Sequence, residues 1–336
     1  MIVKENFDLT ELNTFRVKTK AKLFVSIEHK DEIPEAYRLF EEQKLKPFIL
    51  GKGSNVLFVK DEIDAVVFLS FDSISHKIVG ENVWLNIDAG KTWDDAVEYA
   101  VNRKFWGIEN LSGIPGTAGA APVQNIGAYG TEISDTLDFI EGYDLQNFKM
   151  KKLQKKECKF SYRDSIFKND LKNKFIITNI RLKLAINGKP NFSYKDLKEK
   201  FGNRTNAEIS EIRKAILEIR NSKLPKPEII PNAGSFFKNP VVTSKKFDEL
   251  KKSFPSLKSF NYEREKVKLS AAQLIDLSKA NKFSVGNAMV YENHSLVIVN
   301  KGNASGREIL ILANKIKNTV FEKFGISLQF EVNIIE

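Results

Sequence analysis

Cysteine is almost missing from this chain. Cys158 is the only one in 336 residues, so no disulfide can form within it. Lys155, Lys156 and Lys159 flank that thiol and by charge alone favour a thiolate, but a lone thiol on a lysine-rich strand edge is more often incidental. Histidine is nearly as scarce. His29, His76 and His294 are too few and too scattered for a histidine-built metal site, and no metal is expected. Long apolar runs are lacking: nothing approaches a membrane span, and Met1-Ile2-Val3-Lys4-Glu5-Asn6 is too polar for a secretory leader. The expectation is a cytoplasmic protein with no membrane partner. Zinc-finger spacing, an aromatic RNA-recognition signature and a basic helix are also absent. The net charge of +10 therefore points away from nucleic acid and towards small polyanionic ligands.

What is present is ordinary in bulk and unusual in two places. Hydrophobic residues make up 42% and charged residues 29%, as in a globular chain of two or three domains. Residues 112–130 carry five of the 18 glycines and no charge. So small and uncharged a run suits a wall against a flat, extended ligand. The second place is Gly51-Lys52-Gly53-Ser54-Asn55, directly after the apolar run 47–50. Strand, glycine turn and hydroxyl make a phosphate cradle of backbone N–H groups. It has neither the third glycine of the dinucleotide fingerprint nor the Gly-Lys-Ser/Thr ending of a P-loop.

Periodicity supplies the frame. Strands are expected at 22–27, 47–50, 56–59, 65–69, 83–88, 139–144, 175–184, 288–290 and 296–300. Helices are expected at 31–42, with Ile33, Ala36, Tyr37 and Phe40 inward, and from Trp93, with Thr92 as N-cap and Asp95 closing a capping box. Another runs from Thr205, capped with Glu208, along the stripe Ile209, Ile212, Ile216 and Ile219. Further helices are expected at 269–277 and 307–324, the latter stopped by Gly325. The lysine cluster 149–156 reads as the wet side of a hairpin. Residues 326–334 alternate as a strand that turns Glu331 away from its own core. Tyr162, Arg163, Asp164 and Ser165 offer a phenol, a planar cation, an anion and a hydroxyl. Arg163 can fork onto a carboxylate or pair with Asp164 in a surface turn. Ser235, between Gly234 and Phe236-Phe237, has no histidine beside it in sequence, so a Ser-His hydrolase is not indicated.

Taken together the motifs resemble one family over nearly the whole chain, the UDP-N-acetylenolpyruvoylglucosamine reductases. The motifs are Leu50-Gly51-Lys52-Gly53-Ser54-Asn55, Ile114-Pro115-Gly116, Gln124-Asn125-Ile126-Gly127-Ala128-Tyr129-Gly130, Tyr162-Arg163-Asp164-Ser165 and residues 232–240. They stand in family order. Phe192-Ser193-Tyr194-Lys195-Asp196-Leu197 looks like the tyrosine loop of the family's larger subtype.

The resemblance implies an α+β chain: a two-part FAD-binding domain of the p-cresol methylhydroxylase/vanillyl-alcohol oxidase type over residues 17–188, a substrate domain over 205–325, and a last strand, 326–336, returning to the FAD domain. It implies FAD and NADPH as cofactors, a UDP-sugar substrate and a monomer. Gly51, Lys52, Gly53, Ser54 and Asn55 would hold the pyrophosphate. Ile114, Pro115, Gly116, Gln124, Ile126, Gly127 and Tyr129 would lie along the flavin. NADPH reduces the flavin and leaves, and the enolpyruvyl sugar nucleotide takes its place. Arg163 would meet the substrate carboxylate and Ser235 would protonate C2. Glu331 would stand beside the developing enolate, where it helps only if it holds a proton or is bridged. Tyr162, Tyr194, Lys223, Asn239 and His294 would bind substrate, His294 where some members have glutamine. Ala120-Ala121 replaces a serine pair common beside the flavin. Another flavin oxidoreductase of the same fold is the alternative. The covalently attached flavin of many such oxidases is not favoured, because no histidine lies in the wall.

Overall fold

A computed structural model describes residues 1–336. The chain forms two compact units: residues 1–7, 21–52 and 63–222 in one, and residues 8–20, 53–62 and 223–336 in the other.

The first unit is built on two sheets. One runs Ile2–Asp8, Lys20–Ile27, Glu62–Leu69, Pro47–Leu50 in spatial order, with the last pair parallel. Helix Ile33–Glu42 closes it and buries Ile33, Ala36, Tyr37 and Phe40, the face the sequence spacing selects. Ile2–Asp8 was not expected. All but one of its residues are exposed, so no alternation marks it. The second sheet is antiparallel throughout: Lys149–Gln154, Leu137–Asp144, Phe175–Ala185, Asn82–Asp88, Ile74–Val79. The lysine-rich strand is its exposed edge, where charge discourages further pairing. Helix Trp93–Asn102 packs into this sheet's core through Trp93, Ala96, Val97, Ala100 and Val101.

Two helix starts differ from expectation. The Thr92 side chain caps nothing. The Trp93 N–H instead donates to the Gly116 carbonyl at 3.0 Å, so the helix begins welded to the small-residue stretch. Helix Ile209–Lys223 begins four residues after Thr205. Its first-turn donors are met locally: Ile212 N–H by the Glu208 carbonyl at 3.2 Å, and Glu208 N–H by the Glu211 carboxylate at 2.9 Å. The helix buries Ile212, Ala215 and Ile216 against Leu197 and Phe201 of helix Lys195–Phe201. That packing places it with the first unit, whose border falls after Ser222.

The second unit carries the sheet Asn232–Ser235, His294–Asn300, Ala288–Tyr291, Ser284–Val285, with helices Ala271–Leu277 and Gly306–Phe324 in one core. Ser305 caps the long helix in a full capping box with Glu308, and Gly325, at φ 63°, ends it. The expected strand 326–334 is regular only at Asn333–Ile335, parallel to Val56–Phe58. Before that it makes a bridge, Phe330 to Phe237. The backbone changes partner between the two pairings, yet Ile326, Leu328 and Val332 stay buried as the alternation requires.

Candidate active site

In the first unit the two small-residue stretches meet. A Cβ on Gly51 would lie 2.9 Å from Thr117 Oγ1 and 3.5 Å from the Ala120 methyl. Backbone bonds pin the longer stretch: Ala118 N–H to Lys91 carbonyl at 2.8 Å and Gly119 N–H to Ala89 carbonyl at 2.9 Å. Gly113 N–H donates to Asp94 Oδ1 at 2.6 Å. Arg213 grips the same carboxylate with both guanidinium nitrogens, at 2.6 and 2.9 Å. Burial pushes the Asp94 carboxyl up, but Arg213 and the Gly113 N–H outweigh it and hold it below the ordinary value. The sequence reading missed Asp94 and took its neighbour Asp95 instead. Pro115 and Ala120 face solvent from this stretch, while Ala118 and Ala121 are buried.

Asn125 was also missed as a positioning residue. It is buried in the left-handed region at φ 44°. Its amide donates to Glu132 at 2.7 Å and to the Ser161 carbonyl at 3.1 Å, and its oxygen accepts from Ser134 N–H. These bonds tie the Gln124–Gly130 motif to the Tyr162–Ser165 motif. Arg163, at φ 55°, donates to the Gly127 carbonyl at 2.6 Å. A Cβ on Gly127 would stand 2.9 Å from Arg163 Nη1, so glycine is what admits the guanidinium. Asp164 is occupied elsewhere, accepting from Ser165 N–H at 2.9 Å and Asn169 at 3.1 Å. Tyr162 lies beside the guanidinium, ring centroid 5.4 Å away. Tyr129 meets Tyr194 edge-on at 5.3 Å, and burial pushes its phenol up to about 12. Ile126 is buried; Ile114, Gly116 and Gln124 are half-buried.

Cys158 is the incidental thiol that the sequence reading favours. It is fully buried, and that burial, with Glu157, pushes the thiol up to about 12. The flanking lysines do not make it a thiolate.

In the second unit Gly53 sits at φ 64°, where a Cβ would come within 2.0 Å of the Leu12 carbonyl oxygen. Thr14 donates to the Gly53 carbonyl through N–H at 3.2 Å and hydroxyl at 3.3 Å. The main-chain N–H groups of Lys52, Gly53 and Ser54 donate to no protein group. Lys52 is exposed and Ser54 half-buried. Such adjacent uncommitted donors fit a pyrophosphate. Asn55 is engaged structurally: its amide donates to the Glu331 carbonyl at 3.2 Å and its carbonyl accepts Asn333 N–H at 3.0 Å.

Ser235 ends the strand Asn232–Ser235. Buried Asn232 shapes the bulge before it, accepting Gly234 N–H at 2.8 Å and donating to the Pro225 and Ile230 carbonyls. One residue on, the Phe236 carbonyl accepts Glu331 N–H at 2.8 Å, and Lys238 N–H donates to the Gln329 carbonyl at 2.9 Å. The first of these bonds joins Glu331 to Phe236, the neighbour of Ser235, from far apart in sequence. The rings of Phe15, Phe236, Phe237 and Phe330 pack beside it. The Ser235 hydroxyl is half-buried and bonds to no protein group. Asn239 spends its oxygen on Ala271 N–H at 2.9 Å, which leaves its amide nitrogen for a ligand. His294 Nδ1 accepts Leu296 N–H at 3.3 Å, so in the neutral ring Nε2 carries the proton. Burial and then the Lys223 charge push its pKa down. Arg163 belongs to the first unit, and Ser235, Glu331, Lys223, Asn239 and His294 to the second.

Residues 225–335 match the model of the UDP-N-acetylenolpyruvoylglucosamine reductase C-terminal domain, and residues 21–147 match an FAD binding domain. The chain is 41% identical over 341 residues to the UDP-N-acetylenolpyruvoylglucosamine reductase of Flavobacterium johnsoniae, covering all of both. It is 42% identical over 337 residues to that of Shewanella sediminis, covering all of this chain and 97% of the relative. Among solved structures it is similar to the UDP-N-acetylenolpyruvylglucosamine reductase of Thermus caldophilus, with a TM-score of 0.70 at 24% identity and full coverage of both chains. It is also similar to p-cresol methylhydroxylase, TM-score 0.54 at 12% identity, over 96% of this chain and 83% of that one. The fold is an FAD-binding domain of the p-cresol methylhydroxylase type joined to a substrate-binding domain.

Proposed function

We propose a mechanism for this chain on one premise: it belongs to the UDP-N-acetylenolpyruvoylglucosamine reductase family. Its reaction reduces the enolpyruvyl sugar nucleotide to UDP-N-acetylmuramate in peptidoglycan precursor synthesis, with FAD as the redox cofactor. The donor cradle at 52–54 and the uncharged wall fit that cofactor. When bound, FAD supplies two-electron chemistry, taken up from NADPH in our reading and delivered to C3 of the enolpyruvyl group.

The chain's own residues handle the charge and the proton. Reduction at C3 builds negative charge on C2 and on the carboxylate. Arg163 binds that carboxylate, its guanidinium held against Gly127. Ser235 gives its proton to C2. A hydroxyl is a weak acid in water. It serves here because the carbanion is far more basic and the phenylalanine cluster limits competing water. Glu331, on the same backbone junction, stabilises the enolate through a proton it holds or a bridging group, since a bare carboxylate would repel it. Lys223, the Asn239 amide and neutral His294 hold the diphosphate, and Tyr194 and Tyr162 hold the rest of the nucleotide. Gly51 to Asn55 and the wall residues Ile114, Pro115, Gly116, Gln124, Ile126, Gly127 and Tyr129 hold FAD. The functional division we carry is flavin domain 17–188, substrate domain 205–325 and returning segment 326–336. A cytoplasmic monomer with small-molecule partners only belongs to the same reading.

The observation that supports this most is the Glu331 N–H to Phe236 carbonyl bond, which joins the backbone of Glu331 to the residue next to Ser235. The purified protein is expected to be yellow and to release FAD on denaturation; a colourless protein would contradict the reading. Arg163→Ala should keep its FAD and lower flavin reoxidation by substrate by about 10²–10³-fold. If FAD is lost in proportion to activity, Arg163 is a flavin-wall residue and not the carboxylate's partner.

A further inference from the structure

Between the wall and the segment that carries Tyr194 stands Asn110, a residue the mechanism does not use. It lies in the turn Glu109–Leu111 and is only 1% exposed. Its amide nitrogen donates to two carbonyls at 2.9 Å each, Tyr129 on the wall and Asn191 on the segment. The segment adds a bond of its own, Asn191 Nδ2 to the Gly130 carbonyl at 3.0 Å. Gly130, at φ 82°, permits the approach, since a Cβ there would fall 2.4 Å from Ser193 Oγ. Tyr194 follows and rests edge-on against Tyr129.

The amide orientation is forced. Exchanging its oxygen and nitrogen would set an acceptor against two carbonyls. The consequence is that Asn110 Oδ1 is buried with no partner, the one such side-chain atom among the described residues. A buried acceptor without a partner has lost its hydration and gained no bond in return. Docking the segment therefore gains a bond to Asn191 and bears that cost; undocking loses the bond and lets water reach the oxygen.

We propose that Asn110 is a positioning residue, a latch that docks residues 190–194 onto the wall and thereby sets Tyr194 for the sugar nucleotide. The kinetic part rests on the role of Tyr194 proposed above; the docking part does not. Hydrogen exchange on the FAD-loaded protein tests the docking. Asn110→Ala should speed exchange of the 191–194 amides by about tenfold, the worth of one to two hydrogen bonds, and leave the 232–235 strand unchanged. Asn191→Ala keeps the Asn110 bond to its carbonyl but removes the segment's own bond to Gly130, so it tests the docking, read at Phe192 and Tyr194, if Asn110→Ala does not fold. Unchanged exchange in the segment overturns the latch. Kinetics test the coupling. Asn110→Ala and Tyr194→Ala should each raise KM for the sugar nucleotide, and the double variant should match Tyr194→Ala within about twofold. Fully multiplicative effects would show that Asn110 does not act through Tyr194. Normal KM in Tyr194→Ala, with faster exchange in Asn110→Ala, would sink the role of Tyr194 and keep the latch.

Discussion

At the residue scale, backbone geometry carries more of this molecule than side-chain charge does. Gly53 shows why. Its left-handed φ and the Leu12 oxygen 2.0 Å from any Cβ exclude every other residue. Gly53→Ala should destabilise the protein by about 2–3 kcal/mol or more and loosen FAD, read as a lower Tm and faster flavin loss. An unchanged Tm would mean that the turn relaxes freely. This glycine was legible, because the Gly-x-Gly-Ser-Asn string marks a tight turn. Buried asparagines were not. Asn110, Asn125 and Asn232 each join separate stretches through a carboxamide. Nothing in a sequence says which distant carbonyl an asparagine will meet. Cys158 shows the limit of neighbours in sequence: its lysines would lower the thiol, yet burial raises it and leaves it the incidental group expected.

At the element scale, apolar spacing found helices and strands, and helix starts were its weak point. The helix at Trp93 is fixed by Gly116 and by the bond of Asp94 to Gly113 and Arg213, all tertiary contacts. Because the folded Asp94 carboxyl is held below its ordinary value, the stability it contributes is complete above the usual aspartate range, near pH ~4, and is lost as pH falls through the folded value. Asp94→Asn should cost about 1–3 kcal/mol at neutral pH, between the exposed and buried limits for an ion pair. The gap to the parent, measured by denaturant unfolding, should close on acidification. A gap that stays constant down to the acid limit would show that Asp94 acts by packing alone.

At the scale of the whole molecule, two compact units each assemble motifs that are remote in sequence. The first joins Gly127 to Arg163, and the second joins Asn55 and Phe236, the neighbour of Ser235, to Glu331. The motifs themselves were readable in order; the joints between them were not, since each ends on a main-chain carbonyl, which carries no mark in the sequence. The border after Ser222 was unreadable for a similar reason, because helix Ile209–Lys223 chooses its unit by packing. The central claim is that the uncommitted Ser235 hydroxyl supplies the proton at C2. Rapid mixing of Ser235→Ala, with the two half-reactions followed separately, tests it most directly. Flavin reduction by NADPH should stay within about twofold of the parent, while reoxidation by the enolpyruvyl sugar nucleotide should fall by about 10²–10⁴-fold. Equal losses in both halves, or no loss in the second, would contradict it.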